Sequence, residues 1–139
     1  MIILQFQKIF LRLINDNLIA TNVEKGIYNY CIDYANKYEY AISRPSVIRT
    51  AKGIYRMWYS YRAQANVATY RIGYAESNDG LKWVRMDEAS GIDVSASDWD
   101  SEMICYPRVF EHKGQLFMLY NGNGYGKTGF GLAVLEEDT

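Results

Sequence analysis

Apolar and polar positions along this chain follow the period of strands rather than that of helices. Large residues alternate through Cys105–Glu111 and Gln115–Tyr120, around the short connection His112-Lys113-Gly114. Alternation broken by a glycine-bearing turn predicts a hairpin. A glycine-rich loop, Gly122–Gly129, follows, and then a third apolar run, Phe130–Leu135. The same reasoning along the chain predicts strands near 45–50, 54–61, 68–77, 81–86, 104–111, 115–121 and 128–135. Ser77-Asn78-Asp79-Gly80 is a strong turn signal between the third and fourth of these.

The pattern repeats. Pro45-Ser46-Val47-Ile48 returns as Pro107-Arg108-Val109-Phe110, and Lys52-Gly53 as Lys113-Gly114. Met57-Trp58-Tyr59-Ser60 returns as Met118-Leu119-Tyr120-Asn121, and Ile72-Gly73-Tyr74-Ala75 as Phe130-Gly131-Leu132-Ala133. A fainter copy lies upstream, where Asn15-Asp16-Asn17-Leu18 resembles Asn78-Asp79-Gly80-Leu81. A period of roughly 60 residues holding several strands implies radial repetition of small sheets, a β-propeller. The expected fold is therefore all-β: about two blades of antiparallel four-stranded meanders, part of a larger propeller. Residues 1–24 are read as remnant strands of a preceding blade. Residues 25–139 are read as propeller blades, with a full repeat at about 39–86 and the next blade at about 102–135. Blades need neighbours to bury their faces, so the chain reads as a piece of a propeller, poorly stable or self-associating through open blade edges.

The N-terminal stretch is the ambiguous one. Leu4, Phe6, Ile9, Leu11 and Leu13 suit a strand with a slip at Lys8, while Ile2, Phe6, Ile9 and Leu13 suit a helix face. The repeat favours a strand, turned at Asn15-Asp16-Asn17 into a second one at 18–23. The stretch lacks a basic leader, a clean apolar core and a small-residue cleavage site, so no signal peptide is expected, and it is too polar for a membrane span. Cys31 and Cys105 form no metal or redox spacing, which suits reduced thiols and a cytoplasmic location.

Composition narrows the function. A net charge of −1 with no basic cluster argues against a nucleic-acid partner. Thirteen Tyr suit strands, and they also suit sugar binding, since an amphipathic ring stacks on a pyranose and bonds its hydroxyls. Two phosphate-loop spellings fail on context. Gly124-Tyr125-Gly126-Lys127-Thr128-Gly129 has no helix after it, and the Walker-type reading of Gly126-Lys127-Thr128 finds Asn121 where its first glycine should be. Asp98, Asp100 and Glu102 lack the glycine turn and spacing of a calcium loop and read as a solvated acidic loop. His112 reads as an exposed turn residue, and no metal or cofactor is expected.

Glu39 and Glu102 are the candidate catalytic pair. Each ends a long connection and enters the first strand of a repeat. Equivalent positions on adjacent blades face one axial pocket, where two carboxylates can divide acid and base roles in cleaving a glycosidic bond. The alternative is that each is solvated or pairs with a nearby arginine such as Arg44 or Arg108. Arg44, Tyr106, Arg108, Asn121, Asn123 and Tyr125 are the candidate substrate-binding residues of the same rim.

The stretches RPSVIRTAKGIYRMWYSYR, YRIGYAESNDGLKW and SEMICYPRVFEHKGQLFMLYNGNGYGKTGFGLA resemble the five-bladed propeller superfamily of glycoside hydrolases, the families of arabinanases, β-xylosidases and invertases. They look closest to a glycosidase-like branch found with sugar and polysaccharide genes. The similarity covers about Cys31 to Leu135. It implies a funnel-shaped sugar site at the propeller axis, a carbohydrate or glycoside ligand, and three carboxylates, of which Glu102 resembles the general acid. The first-blade carboxylate has no counterpart here, so the expectation is a glycosidase-like protein without a full hydrolytic site in this chain. The other reading is a non-catalytic sugar-binding or assembly module.

Overall fold

The computed structural model describes residues 12–14, 17–19, 30–62 and 69–136. The chain divides into two compact units, Met1–Tyr30 and Cys31–Thr139. In the first, β1 (Arg12–Ile14) and β2 (Asn17–Ile19) pair antiparallel, with Leu13 opposite Leu18. The hairpin agrees with the strand reading. Its expected start at Ile3–Leu11 and its continuation to Val23 lie outside the described residues.

The second unit holds two antiparallel sheets. The first runs β3 (Ala41–Arg49), β4 (Tyr55–Arg62), β5 (Arg71–Ser77) and β6 (Val84–Arg85) in that order. The second runs β7 (Cys105–His112), β8 (Gln115–Asn121) and β9 (Phe130–Val134). This is the blade meander that the repeat implies, and the fold is all-β. Two details differ from expectation. The second sheet has three strands rather than four among the described residues. The fourth strand of the first is two residues long, because Met86 leads straight into a 3₁₀ turn at Asp87–Ala89.

Turn chemistry sets the meander. Both Lys-Gly connections place their glycine at positive φ, +85° at Gly53 and +77° at Gly114, a region other residues enter at a cost. At the β5–β6 turn the Ser77 hydroxyl accepts from the Asp79 and Gly80 amides, and Asp79 Oδ1 accepts from the Leu81 and Lys82 amides at 2.8 Å each. Trp83 closes the turn by donating its indole N–H to the Gly80 carbonyl.

The two sheets of this unit share a core. Trp58, Ile72 and Tyr74 of the first sheet pack with Val109 and Met118 of the second and with Ile104 just before β7. Full burial of such side chains contributes roughly 1.5–3 kcal/mol each. The opposite face of the first sheet buries Met57, Tyr59 and Ala75 against Ile32, Val47 and Trp83. The opposite face of the second sheet is open, with Phe130 72% and Leu132 56% exposed. By alternation these occupy the places that Ile72 and Tyr74 occupy in the first sheet.

Of the three carboxylates read as a solvated acidic loop, Asp98 and Glu102 are exposed but Asp100 is buried. Trp99 stacks on Tyr120 at 5.5 Å, and Asp100, 4% exposed, accepts from the Tyr120 hydroxyl at 3.0 Å. Gly122 and Gly131 make this possible, since a Cβ at either would lie within 2.6 Å of the Trp99 ring. The loop is a packed strap across the second sheet.

Candidate functional site

Each innermost strand carries the same irregularity. β3 is bulged between Ser43 and Ser46, and β7 between Cys105 and Arg108. The residue before proline in each, Arg44 and Tyr106, has positive φ, +51° and +60°. A residue before proline ordinarily adopts extended backbone, so each bulge stores strain on the order of 1–3 kcal/mol. Side-chain hydroxyls from the first sheet hold the second bulge in place. Ser60 Oγ, fully buried, accepts from the Tyr106 amide at 2.7 Å, and Ser46 Oγ accepts from the Val109 amide at 2.8 Å.

The bulges aim two side chains at one another. The Arg44 guanidinium lies 4.6 Å from the centre of the Tyr106 ring. Tyr106 also stacks on Tyr125 at 6.2 Å, and Tyr70 stands 5.9 Å from each of them. Tyr125 is a third residue at positive φ, inside the tight turn Asn123–Gly126. Arg62, at the end of β4, lies 4.2 Å over the Tyr70 ring and donates to the hydroxyls of Tyr125 and Tyr40. The result is three tyrosines flanked by two guanidinium groups. No carboxylate of the described residues is ion-paired or hydrogen-bonded to either arginine.

Electrostatics follow from this arrangement. Burial works against the charge on Arg62, but the Tyr40 hydrogen bond and the neighbouring Tyr70 outweigh it and raise its pKa. Cys105, buried beneath the cluster, is pushed up to about 11 by desolvation, against the pull of Arg44 and Arg62, so its thiol stays protonated. Burial also raises Tyr106. The cluster is thus cationic, aromatic and rich in hydroxyl donors, a surface that suits an anion or a sugar.

The sequence-predicted residues divide. Arg44, Tyr106 and Tyr125 stand together. Asn121 supports them, donating its side-chain amide to the Tyr125 carbonyl at 3.2 Å. Asn123 is a clamp: its Oδ1 accepts from the Glu102 and Met103 amides at 2.8 and 3.0 Å, and its amide donates to the Asp98 carbonyl. Arg108 is elsewhere. It alternates with Val109, whose side chain enters the shared core, and so stands exposed on the open face. The expected pairing of Glu39 with Glu102 is not formed. Glu39 is buried, with its carboxylate held by both Arg85 Nη atoms at 2.7 and 2.8 Å and by the Ala35 amide at 3.0 Å. Glu102 is exposed, with no side-chain partner among the described residues.

Arg85 is the hub of the Glu39 site. It also binds Asp87, whose Oδ1 accepts from the Tyr59 hydroxyl. Burial opposes the charge on Arg85, yet its bonds to Glu39 and Asp87 hold it protonated above the ordinary arginine value. Sequence reasoning missed Arg62 and Tyr70. The usable signal was alternation, which puts Arg62 on the face of β4 that carries Trp58 and Ser60, at the end nearest the bulges.

Comparison with known proteins adds the family context. The model of glycoside hydrolase family 130, described as beta-1,4-mannooligosaccharide phosphorylase, matches residues 8–136. The uncharacterized protein Rv1502 of Mycobacterium tuberculosis (strain H37Rv) is 55% identical over 105 residues, 76% of this chain and 33% of that protein. The uncharacterized protein MT1551 of strain CDC 1551 / Oshkosh matches to the same extent. The chain thus spans about a third of the length of these curated relatives. Among solved structures, the complex of BT0996 with RGII superposes with a TM-score of 0.61 at 21% identity, over 78% of this chain and 36% of that one. A glycoside hydrolase superposes with a TM-score of 0.58 at 21% identity, over 74% and 34%. These likenesses show the shared fold.

Proposed function

Because this chain belongs to glycoside hydrolase family 130, we propose that it supplies the cationic, tyrosine-lined part of a carbohydrate site in which phosphate cleaves a glycosidic bond. One observation carries the reading: Arg44 and Arg62 flank the tyrosine cluster and lack a carboxylate partner among the described residues. Two guanidinium groups with unspent donors suit an oxyanion, and Arg is the side chain best shaped to hold phosphate. The rings of Tyr70, Tyr106 and Tyr125 suit the faces of a bound sugar, and the family description points to β-1,4-linked mannosides. In phosphorolysis a phosphate oxygen forms the new bond to the anomeric carbon as the glycosidic C–O bond breaks. The leaving oxygen takes the proton that hydrogen phosphate brings, giving a sugar 1-phosphate and a free hydroxyl. The guanidinium groups would place the phosphate and stabilise its charge.

A second reading, a sugar-binding module without chemistry, is favoured by the absence of a carboxylate from the cluster among the described residues. The test is titration of the chain with inorganic phosphate and with β-1,4-mannobiose, followed by amide and arginine side-chain NMR. Both ligands are expected to move resonances of Arg44, Arg62 and Tyr106, and Arg62→Leu is expected to abolish the phosphate response. Binding of mannobiose without phosphate would support the binding module. A cluster unmoved by either ligand would overturn both readings.

A further inference from the structure

The two sheets of the second unit share one detail near their outer edges. In the first, Tyr59 lies over Gly73, where a Cβ would stand 2.7 Å from its ring, and its hydroxyl donates to Asp87. In the second, Tyr120 lies over Gly131, where a Cβ would stand 2.9 Å from its ring, and its hydroxyl donates to Asp100 at 3.0 Å. The register agrees, with Tyr59 opposite Gly73 and Tyr120 opposite Gly131. What lies beyond differs. The first sheet adds β6, and Arg85 of that strand takes the other Asp87 oxygen at 2.6 Å. Among the described residues β9 pairs only with β8, and the buried Oδ1 of Asp100 has no hydrogen-bond partner.

We propose that the free edge of β9 docks an extended segment of a partner polypeptide, laid antiparallel with an arginine opposite Ala133, whose guanidinium binds Asp100. Register fixes the place of the arginine. Arg85 stands opposite Ala75. Ala133 holds the matching position, since Met57 opposes Ala75 and Met118 opposes Ala133. The Tyr74 carbonyl accepts from the Met86 amide at 2.8 Å. By the same register the Leu132 carbonyl points away from β8 and would accept from the residue after the incoming arginine. Unspent edge groups of this kind are what an added strand pairs with.

Charge selects the residue. A buried carboxylate oxygen without a donor is costly, and a guanidinium satisfies it with a charge-assisted bond, as Arg85 satisfies Asp87. Alternation selects its neighbours. The residues on either side of the arginine would lie on the other face, beside the exposed Leu132 and Val134. The segment is therefore expected to read apolar, arginine, apolar, which is the pattern of Val84-Arg85-Met86 in the first sheet. The inference does not depend on the carbohydrate reading.

The probe is a synthetic peptide of residues 80–86 of this chain, titrated into the whole chain and followed by amide NMR. It is expected to move the amides of β9 and of residues 99–101. The same peptide carrying Arg85→Met is expected to bind at least about tenfold more weakly, because the buried carboxylate then stays unpaired. Asp100→Asn in the chain keeps an acceptor for the Tyr120 hydroxyl and removes the charge, so it should bring the two peptides within about twofold of each other. Its melting curve shows whether that variant folds; if it does not, the two peptides on the wild-type chain decide. Equal binding of both peptides, no binding, shifts confined to residues away from β9, or an arginine preference that survives Asp100→Asn would overturn the proposal. A wild-type chain that sediments as a dimer and ignores the peptide would assign the edge to a second copy and overturn it as well.

Discussion

Replacing Arg85 tests whether Glu39 serves structure or chemistry. In the wild type the Glu39 side chain is 2% exposed and Arg85 15%, and the two carboxylate oxygens meet two guanidinium nitrogens at 2.7 and 2.8 Å. Arg85→Met keeps an unbranched apolar stem and removes the charge. Glu39 then keeps only the Ala35 amide, and Asp87 keeps the Tyr59 hydroxyl and the Tyr74 amide. Breaking a buried pair from one side costs about 3–5 kcal/mol, because a charge is left buried without compensation. Domain stabilities are about 5–15 kcal/mol, so the loss is a large share of the whole. Urea unfolding followed by the fluorescence of Trp58, Trp83 and Trp99 measures it. Pairing Arg85→Met with Glu39→Leu should recover at least about half, since an apolar pair of similar volume carries no desolvation cost. Recovery is incomplete because Asp87 still lacks its guanidinium. An Arg85→Met variant within about 1 kcal/mol of wild type, or a double variant no better than the single, would refute the structural role of Glu39.

Three further outcomes follow from the same structure. Gly131→Ala should cost about 1–3 kcal/mol and change the tryptophan signal, because the new Cβ would lie 2.6 Å from Trp99 and 2.9 Å from Tyr120; an unchanged melting temperature and spectrum would contradict the packed strap. Asp79 has its pKa lowered from 3.8, chiefly by the Lys82 and Leu81 amide hydrogen bonds. Its stabilisation is therefore present above that value and lost as pH falls through the lower folded value; melts of wild type and Asp79→Asn should differ by a constant amount at neutral pH and converge in acid, and a gap that widens on acidification would be the wrong sign. The open face bearing Leu119, Phe130, Leu132 and Val134 should drive self-association of the isolated chain, so that Leu132→Lys shifts sedimentation toward monomer; a wild type that is already monomeric would remove this expectation.

Much of the fold is legible in the sequence because propeller meanders are spelled locally. The Lys-Gly turns, the Ser77–Gly80 turn and the alternation of β4 and β8 each specify their own geometry. The repeat then ties them into two copies of one unit. What is not legible depends on distance. Glu39 finds Arg85 46 residues away, whereas sequence proximity offers it only Arg44, and offers Arg108 to Glu102. Trp99 fits because Gly122 and Gly131 leave room across the sheet, and nothing in a run of Asp, Ser and Ala residues signals that fit.

The site itself is half legible, and the reason lies in the backbone. Proline at 45 and 107 marks the bulges, but the usual rule for the residue before proline predicts extended backbone at Arg44 and Tyr106. Both are left-handed instead. Local rules failing at matching places in two repeats is what a functional or strained site produces. The strain persists because Ser46 and Ser60 bond the amides of the second bulge and the surrounding strand pairing holds both. Relaxing either bulge to extended backbone would turn its side chain away from the tyrosines. The matched left-handed pair is therefore what brings the cation to the ring, and it does so at the one end of the sheets where Arg62 and Tyr70 also stand.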